Sequence, residues 1–75
     1  MDERKSAKLP ETRLKRTRMA YGCSQSELAE MSGVSLRSIQ MYEQRNKDIN
    51  KSQSETVLRL AGALGCSVSD LLEYA

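Results

Sequence analysis

The stretch SQSELAEMSGVSLRSIQMYEQ, residues 24–44, predicts two short helices joined at one glycine. Ser24 can cap the first helix while the side chain of Glu27 bonds back to the Ser24 amide, which is the capping-box arrangement. Gly33 suits the left-handed residue that ends this helix. Ser35 is then the candidate N-cap of the second helix, which we expect to run to the end of the stretch. Two short helices separated by a glycine turn form a helix-turn-helix motif.

The second helix of this motif has two different faces. At about 100° per residue, Ile39, Tyr42 and Glu43 fall on one side and can anchor the helix to the rest of the domain. The other side carries one guanidinium, two amides and two apolar groups, from Leu36, Arg37, Gln40, Met41 and Gln44. Arg can donate two hydrogen bonds to guanine, Gln can pair with adenine, and apolar groups can contact a thymine methyl. The face therefore suits the major groove of DNA, and the alternative is a solvated face with two exposed hydrophobic residues.

A helix is also predicted before the motif, from about Pro10 to Ala20. Pro10 suits the first helical turn because its missing N–H has no partner there. Gly22 suits the end of the helix. One face would carry Leu14, Arg18 and Tyr21.

Two further helices are predicted after the motif, each opened by a capping box. Ser52 and Glu55 form the first of these boxes, and Ser67 and Asp70 form the second. The fourth helix would end at Gly65 and bury Val57, Leu60, Ala61 and Leu64. The fifth would carry Leu71 and Leu72. Residues 45–51, before the fourth helix, are expected to be a polar loop.

The composition fits a small all-α protein. Its 75 residues include 39% hydrophobic side chains but no Phe or Trp, so the core must be aliphatic. We expect a compact bundle of five short helices, with residues 1–8 as a flexible basic arm and residues 9–75 as one helix-turn-helix domain. The charged N-terminus excludes a secretory signal, and no run is apolar enough to span a membrane, so we expect a cytoplasmic protein.

The cysteine content and the absence of histidine argue against a cofactor and against catalysis. Cys23 and Cys66 are far apart in a sequence without His, which makes a poor zinc site. We interpret them as small buried thiols, with a single disulfide as the alternative. Neither has a base beside it, and there is no glycine-rich phosphate loop, so we expect neither an enzyme nor a bound cofactor.

Basic charge is concentrated in two parts of the chain. Residues 1–18 carry a net charge of +4 and residues 35–52 carry +2, whereas residues 19–34 and 53–75 each carry −2. An uneven distribution of this kind favours an anionic partner such as nucleic acid, and the alternative is an ordinary solvated surface.

Residues 13–44 resemble the helix-turn-helix of the lambda-repressor-like family, also known as the Cro/CI or XRE family. The matching positions are Gln25, Leu28, Ala29, Gly33, Val34, Ser35, Ile39 and Glu43. The stretch LRLAGALGCSVSDLLE, residues 58–73, resembles the fourth and fifth helices of the family. The resemblance covers roughly residues 9–74. It implies a sequence-specific DNA-binding transcriptional regulator, with repression as the favoured role.

The resemblance also implies roles for individual residues. The side chains expected to contact base edges are Leu36, Arg37, Gln40 and Met41. Those expected to contact the DNA backbone are Ser24, Gln25, Ser35, Ser38, Arg45, Lys47 and Lys51. Arg18 and Glu43 are expected to form a partly buried ion pair. The loop after Glu43 departs from the family because it is longer and has Arg45 where glycine is usual.

The expected partner is double-stranded DNA, in a pseudo-palindromic operator bound by a homodimer. One module buries too little surface for tight specific binding, so two copies are needed. The expected dimer contact consists of Leu71, Leu72 and Tyr74. The alternative function is an antitoxin-like or other interaction module whose main partner is a protein.

Overall fold

The computed structural model describes residues 11–73, and this part of the chain contains four α-helices, two short 3-10 turns and no β-strand. The helices are α1 (Arg13–Tyr21), α2 (Gln25–Ser32), α3 (Leu36–Glu43) and α4 (Ser54–Leu64), and the 3-10 turns are Ile49–Lys51 and Val68–Asp70. The all-α prediction is confirmed. The predicted arm, residues 1–8, lies outside the described residues, as do Pro10 and Tyr74.

Helix α1 begins later than the sequence predicted. Residues 11 and 12 are not helical, and the Thr12 hydroxyl accepts a hydrogen bond of 3.1 Å from the backbone N–H of Lys15. Thr12 is therefore the N-cap. At the other end, Tyr21 is 56% exposed rather than inward, because the chain turns at Gly22 and Cys23 is the buried residue there.

The turn between α2 and α3 has the predicted geometry. The Ser24 amide donates to Glu27 Oε1 over 2.8 Å, and the Glu27 amide donates to Ser24 Oγ over 3.1 Å, so the capping box is confirmed. Gly33 is left-handed at φ 76°, which disfavours a residue with a side chain. The hydroxyl of Ser35 accepts from the Ser38 amide and caps α3. Local sequence alone therefore sets both helix starts and the turn between them.

Helix α4 buries the four predicted residues and ends at left-handed Gly65. However, its predicted capping box of Ser52 and Glu55 is wrong. The N-cap position belongs to Gln53, whose side chain makes no capping bond. Ser52 Oγ instead lies 2.6 Å from the Tyr42 hydroxyl, so a contact with α3 has taken the group that would have capped the helix.

The predicted fifth helix is wrong, because the chain forms only the 3-10 turn Val68–Asp70 there. The Ser67 amide does donate to Asp70 Oδ2 over 3.0 Å, as the predicted capping box requires. The helix does not continue because both backbone polar groups of Glu73 bond to the side chain of Asn50. Leu71 has no exposed surface, so it cannot be the dimer contact that the sequence predicted.

The core is mainly aliphatic, as predicted, with Tyr42 as its one large aromatic member within the described residues. Its buried hydrophobic residues are Leu14, Cys23, Leu28, Val34, Ile39, Tyr42, Ile49, Val57, Leu60, Ala61, Leu64 and Leu71. Ile49 was missed because it stands in a loop predicted to be polar. Cys23 is buried and Cys66 is half-buried, and both thiols are free, so the disulfide alternative is wrong. Burial raises the pKa of the Cys66 thiol and keeps it protonated.

Arg45 is in the left-handed region, at φ 62°, where the resemblance predicts glycine. A side chain in this conformation costs about 1–2 kcal/mol. We predict that Arg45→Gly is more stable than Arg45→Ala by about 1 kcal/mol, measured by urea unfolding. Both variants lose the Arg45 side chain, so the difference isolates the backbone effect. Equal stability of the two would show that residue 45 is not strained.

Asp70 should make the stability of the fold depend on pH. Hydrogen bonds from the amide and hydroxyl of Ser67 lower the pKa of the Asp70 carboxyl. A carboxyl whose pKa is lowered on folding stabilises the fold above its unfolded pKa, and this stabilisation is lost as the pH falls through the folded pKa. We therefore predict that Asp70→Asn lowers the melting temperature at pH 6 and that its difference from the unchanged protein shrinks towards pH 3, in a thermal-unfolding series. A difference that stays constant over this range would contradict the prediction.

Candidate nucleic-acid interface

Arg18 of α1 and Glu43 of α3 form an ion pair inside the domain. Arg18 Nε lies 2.7 Å from Glu43 Oε2, and Arg18 Nη2 donates to Glu43 Oε1 over 3.1 Å. A third guanidinium nitrogen, Nη1, donates to the carbonyl of Cys23 over 2.8 Å. The side chains are only 11% and 2% exposed. The bond to Glu43 raises the pKa of Arg18, so the guanidinium stays charged.

Gln25, the first residue of α2, joins the same network. Its Nε2 donates to Glu43 Oε1 over 2.9 Å, so the carboxylate links all three of the first helices. The sequence predicted Gln25 only as a phosphate contact and gave no sign of this internal bond, because Gln25 and Glu43 are 18 residues apart. The amide nitrogen carries two hydrogens, and Glu43 takes one of them. The network thus orients the Gln25 side chain at the N-terminus of α2.

The two faces of α3 are divided as the helical wheel indicated. Ile39 and Tyr42 are buried, and Glu43 is enclosed by its ion pair. On the outer side Leu36 and Arg37 are exposed. Gln40 and Met41 are half-buried, and Gln44 is exposed. The outer face therefore presents a guanidinium and a leucine near its N-terminus, with an amide and a thioether one turn further along.

Two of the three serines that the resemblance placed near DNA, Ser24 and Ser35, also cap helices, and the third, Ser38, bonds to Ser35. Ser24 Oγ accepts from the Glu27 amide at the start of α2. Ser35 Oγ accepts from the amide of Ser38 over 3.1 Å and donates its own proton to the Ser38 hydroxyl over 3.0 Å. The Ser38 hydroxyl accepts this bond and still has its own proton to donate. Ser38 lies in the first turn of α3 and lines a groove beside that helix, so its proton can reach an anion there.

The three basic residues of the loop after α3 have different surroundings. Lys47 Nζ lies 5.5 Å from the centre of the Tyr42 ring, a cation–π contact on the outside of the domain. Arg45 Nη1 lies 3.5 Å from Glu73 Oε1, on the last described residue. Lys51 is exposed at the end of the 3-10 turn. All three residues are exposed, and within residues 11–73 Arg45 is the one of them that lies close to a carboxylate of the protein.

A polar groove of about 290 Å³ lies between α3 and α4. It is lined by Gly33, Val34, Ser35, Ser38, Tyr42, Lys47, Glu55, Thr56 and Arg59. Arg59 Nη2 bonds to Glu55 Oε2 over 2.7 Å on the exposed side of α4. Arg59 was not predicted as a site residue, although its position four residues after Glu55 places the two side chains next to each other on one helix face. The fold brings its guanidinium to the same groove as Lys47 and the two serines that begin α3.

The match to a protein-family model identifies the family of the chain. A family model described as helix-turn-helix matches residues 14–71, which is most of the chain. The chain belongs to the helix-turn-helix family of the XRE, or Cro/CI, type. The predicted resemblance is therefore confirmed. Neither a curated protein nor a solved structure matches the chain significantly.

This XRE-type domain is a DNA-binding module by family. Within residues 11–73, no group of three or more His, Cys, Asp or Glu side chains is arranged to hold a metal ion. None of the helices described is both long and apolar enough to cross a membrane.

Removal of only one partner of the Arg18–Glu43 ion pair should destabilise the domain. We predict that Glu43→Ala destabilises the domain by about 3 kcal/mol, because it leaves the Arg18 charge without its carboxylate in a nearly closed site. Urea unfolding measures this loss. The double variant Arg18→Met, Glu43→Leu should be markedly more stable than Glu43→Ala, since apolar groups of similar size replace the whole pair. A double variant as unstable as the single one would show that the charge is not what makes the loss large.

Proposed function

We propose that this protein is a sequence-specific transcriptional regulator, acting as a repressor in the cytoplasm, that inserts α3 into the major groove of DNA. The observation that carries the proposal is the Arg18–Glu43–Gln25 network. It fixes α3 by its inner side while the outer side stays exposed, as a helix that enters a groove requires. Membership of a family of DNA-binding domains supports the same role, which needs neither catalysis nor a cofactor.

Base recognition is assigned to the outer face of α3. Arg37 is exposed and can donate two parallel hydrogen bonds to guanine. Gln40 can pair with adenine, and Leu36 and Met41 can contact thymine methyl groups. Because apolar contacts discriminate weakly among bases, Arg37 should carry the largest share of the sequence preference.

Backbone contacts are assigned to groups on both sides of that helix. Ser24 and Gln25 stand at the N-terminus of α2, where free backbone N–H groups favour a phosphate. On the other side, the groove between α3 and α4 offers cationic and hydroxyl groups: Ser35, Ser38, Lys47 and Arg59. We also assign Lys51 and Arg45 to the backbone, although Arg45 must then share its guanidinium with Glu73.

A homodimer on a pseudo-palindromic operator is part of the proposal. A single domain of this size offers less contact area than tight specific binding needs, and two copies double it. Leu71 is buried in the core, so the contact must use other surface. Two half-sites about one helical turn apart would follow from such a dimer.

Selection from a random DNA pool tests the proposal, at about 0.15 M salt with sequencing of the retained duplexes. We predict an enriched motif with two inverted halves. Arg37→Ala should lose about 1–3 kcal/mol of preference at one base pair per half-site, because it removes a bidentate contact. Lys47→Ala should instead weaken binding to all duplexes alike and flatten the salt dependence.

The control variant is Arg16→Ala, which removes an exposed arginine from α1 and changes the net charge by the same amount. It should leave the selected motif unchanged. If Arg37→Ala and Lys47→Ala both lose affinity uniformly, then Arg37 contacts phosphate. Absence of any enriched motif, with binding that disappears as salt rises, would reject the sequence reader and favour the alternative, a module whose main partner is a protein.

A further inference from the structure

Asn50 and Glu73 pair through the backbone of Glu73, although they are 23 residues apart. The Glu73 amide donates to Asn50 Oδ1 over 2.8 Å. The Glu73 carbonyl accepts a bond from Asn50 Nδ2. The side-chain amide of Asn50 thus bonds to both the backbone N–H and the backbone carbonyl of Glu73, which lies in no helix.

The side chain of Glu73 makes two further contacts with other parts of the chain. Oε2 accepts a hydrogen bond of 2.6 Å from the backbone N–H of Arg13, in the first turn of α1, where amides have no partner within the helix. Oε1 lies 3.5 Å from Arg45 Nη1. The carboxylate is 26% exposed, so these contacts are only partly screened by water. Glu73 therefore joins the start of α1 to two points of the loop that follows α3.

The loop between α3 and α4, residues 44–53, is held at those two points, and they flank Lys47. Arg45 lies two residues before Lys47, and Asn50 lies directly before Lys51. From inside, Ile49 anchors the same loop in the core. The amide of Lys47 donates to the Met41 carbonyl over 3.2 Å, and that of Lys51 donates to Asp48 over 3.0 Å. Contacts within the protein thus hold the cationic loop at several points.

We propose that Asn50 and Glu73 act as positioning residues for DNA binding, forming a clasp that holds Lys47 and Lys51 ready for the phosphate backbone. The inference rests on the proposed function. Glu73 acts through the loop and not by contact, since a carboxylate repels phosphate. Ordering a loop on binding costs free energy, and a loop ordered in advance avoids that cost.

Hydrogen exchange on the free protein tests whether the clasp holds the loop. We predict that Asn50→Ala and Glu73→Ala each speed exchange at the amides of Lys47 and Lys51 by about tenfold. Asn50→Ala loses the two hydrogen bonds to the Glu73 backbone, and Glu73→Ala loses the bond to the Arg13 amide and the ion pair with Arg45. The buried Leu28 amide should be unaffected. Asn46→Ala is the matched control, since Asn46 is in the same loop and its side chain bonds only to the neighbouring Gln44 among the described contacts. Unchanged exchange at Lys47 and Lys51 would overturn the clasp.

The affinity for duplex DNA tests the positioning role, because positioning and charge predict changes of affinity in opposite directions. Glu73→Ala removes a negative charge, so charge alone predicts tighter binding, whereas loss of positioning predicts binding several-fold weaker. Glu30→Ala, which removes an exposed glutamate from α2, measures the effect of charge alone. In a background that carries Lys47→Ala and Lys51→Ala, Glu73→Ala should no longer weaken binding, because it acts through those lysines.

The two tests separate failure of the clasp from failure of the proposed function. If the unchanged protein binds no duplex, the DNA-binding proposal fails, and the exchange rates still decide whether the clasp orders the loop. If DNA binds and Glu73→Ala binds as tightly as Glu30→Ala does, the positioning role is overturned. A loss that persists without the two lysines would also overturn it, because Glu73 would then act through groups other than Lys47 and Lys51.

Discussion

The buried ion pair between Arg18 and Glu43 is the constraint on which the rest of the structure depends. Apolar contacts are non-directional, so a small aliphatic core leaves several helix orientations close in energy. A carboxylate enclosed to 2% exposure accepts far fewer arrangements, because each of its oxygens must find a donor. Arg18 and Gln25 supply those donors from two other helices. The orientation of α3 is therefore fixed by these hydrogen bonds, and the apolar side chains of the core pack against the helix in that orientation.

That constraint determines which side chains remain for a ligand. Glu43 is the last residue of α3, so its fixation sets the rotation of the whole helix and turns Ile39 and Tyr42 inward. The same rotation leaves Arg37 outside. It also places the capping serine, Ser35, beside the groove in which Lys47 lies. Exposure of a mixed polar and apolar face is thus a consequence of the internal network.

Features of the fold that depend on neighbours in sequence could be predicted, and those that depend on distant residues could not. The Ser24 box and the left-handed Gly33 involve groups within a few positions of each other, so the sequence is sufficient for both. Ser52 looked like an equally good cap, but the Tyr42 hydroxyl engages it instead. The prediction of a fifth helix was wrong for the same reason, since the Asn50 side chain forms hydrogen bonds with the backbone N–H and carbonyl of Glu73. For the site, the helical wheel separated the buried residues of α3 from the outward ones, whereas the bond from Gln25 to Glu43 depends on the folded chain.

The left-handed conformation of Arg45 follows from the same long-range contacts. A side chain at φ 62° is unfavourable by itself and persists only where surrounding contacts hold it. Here the helix ends at Glu43, Arg45 Nη1 reaches Glu73, and the amides of the next two residues both return to the Met41 carbonyl. Glycine would enter this turn without strain, but it would have no guanidinium to bond Glu73. The arginine therefore combines a backbone cost with an ion pair to the residue that also holds Asn50, and the loop gains a second fixed point.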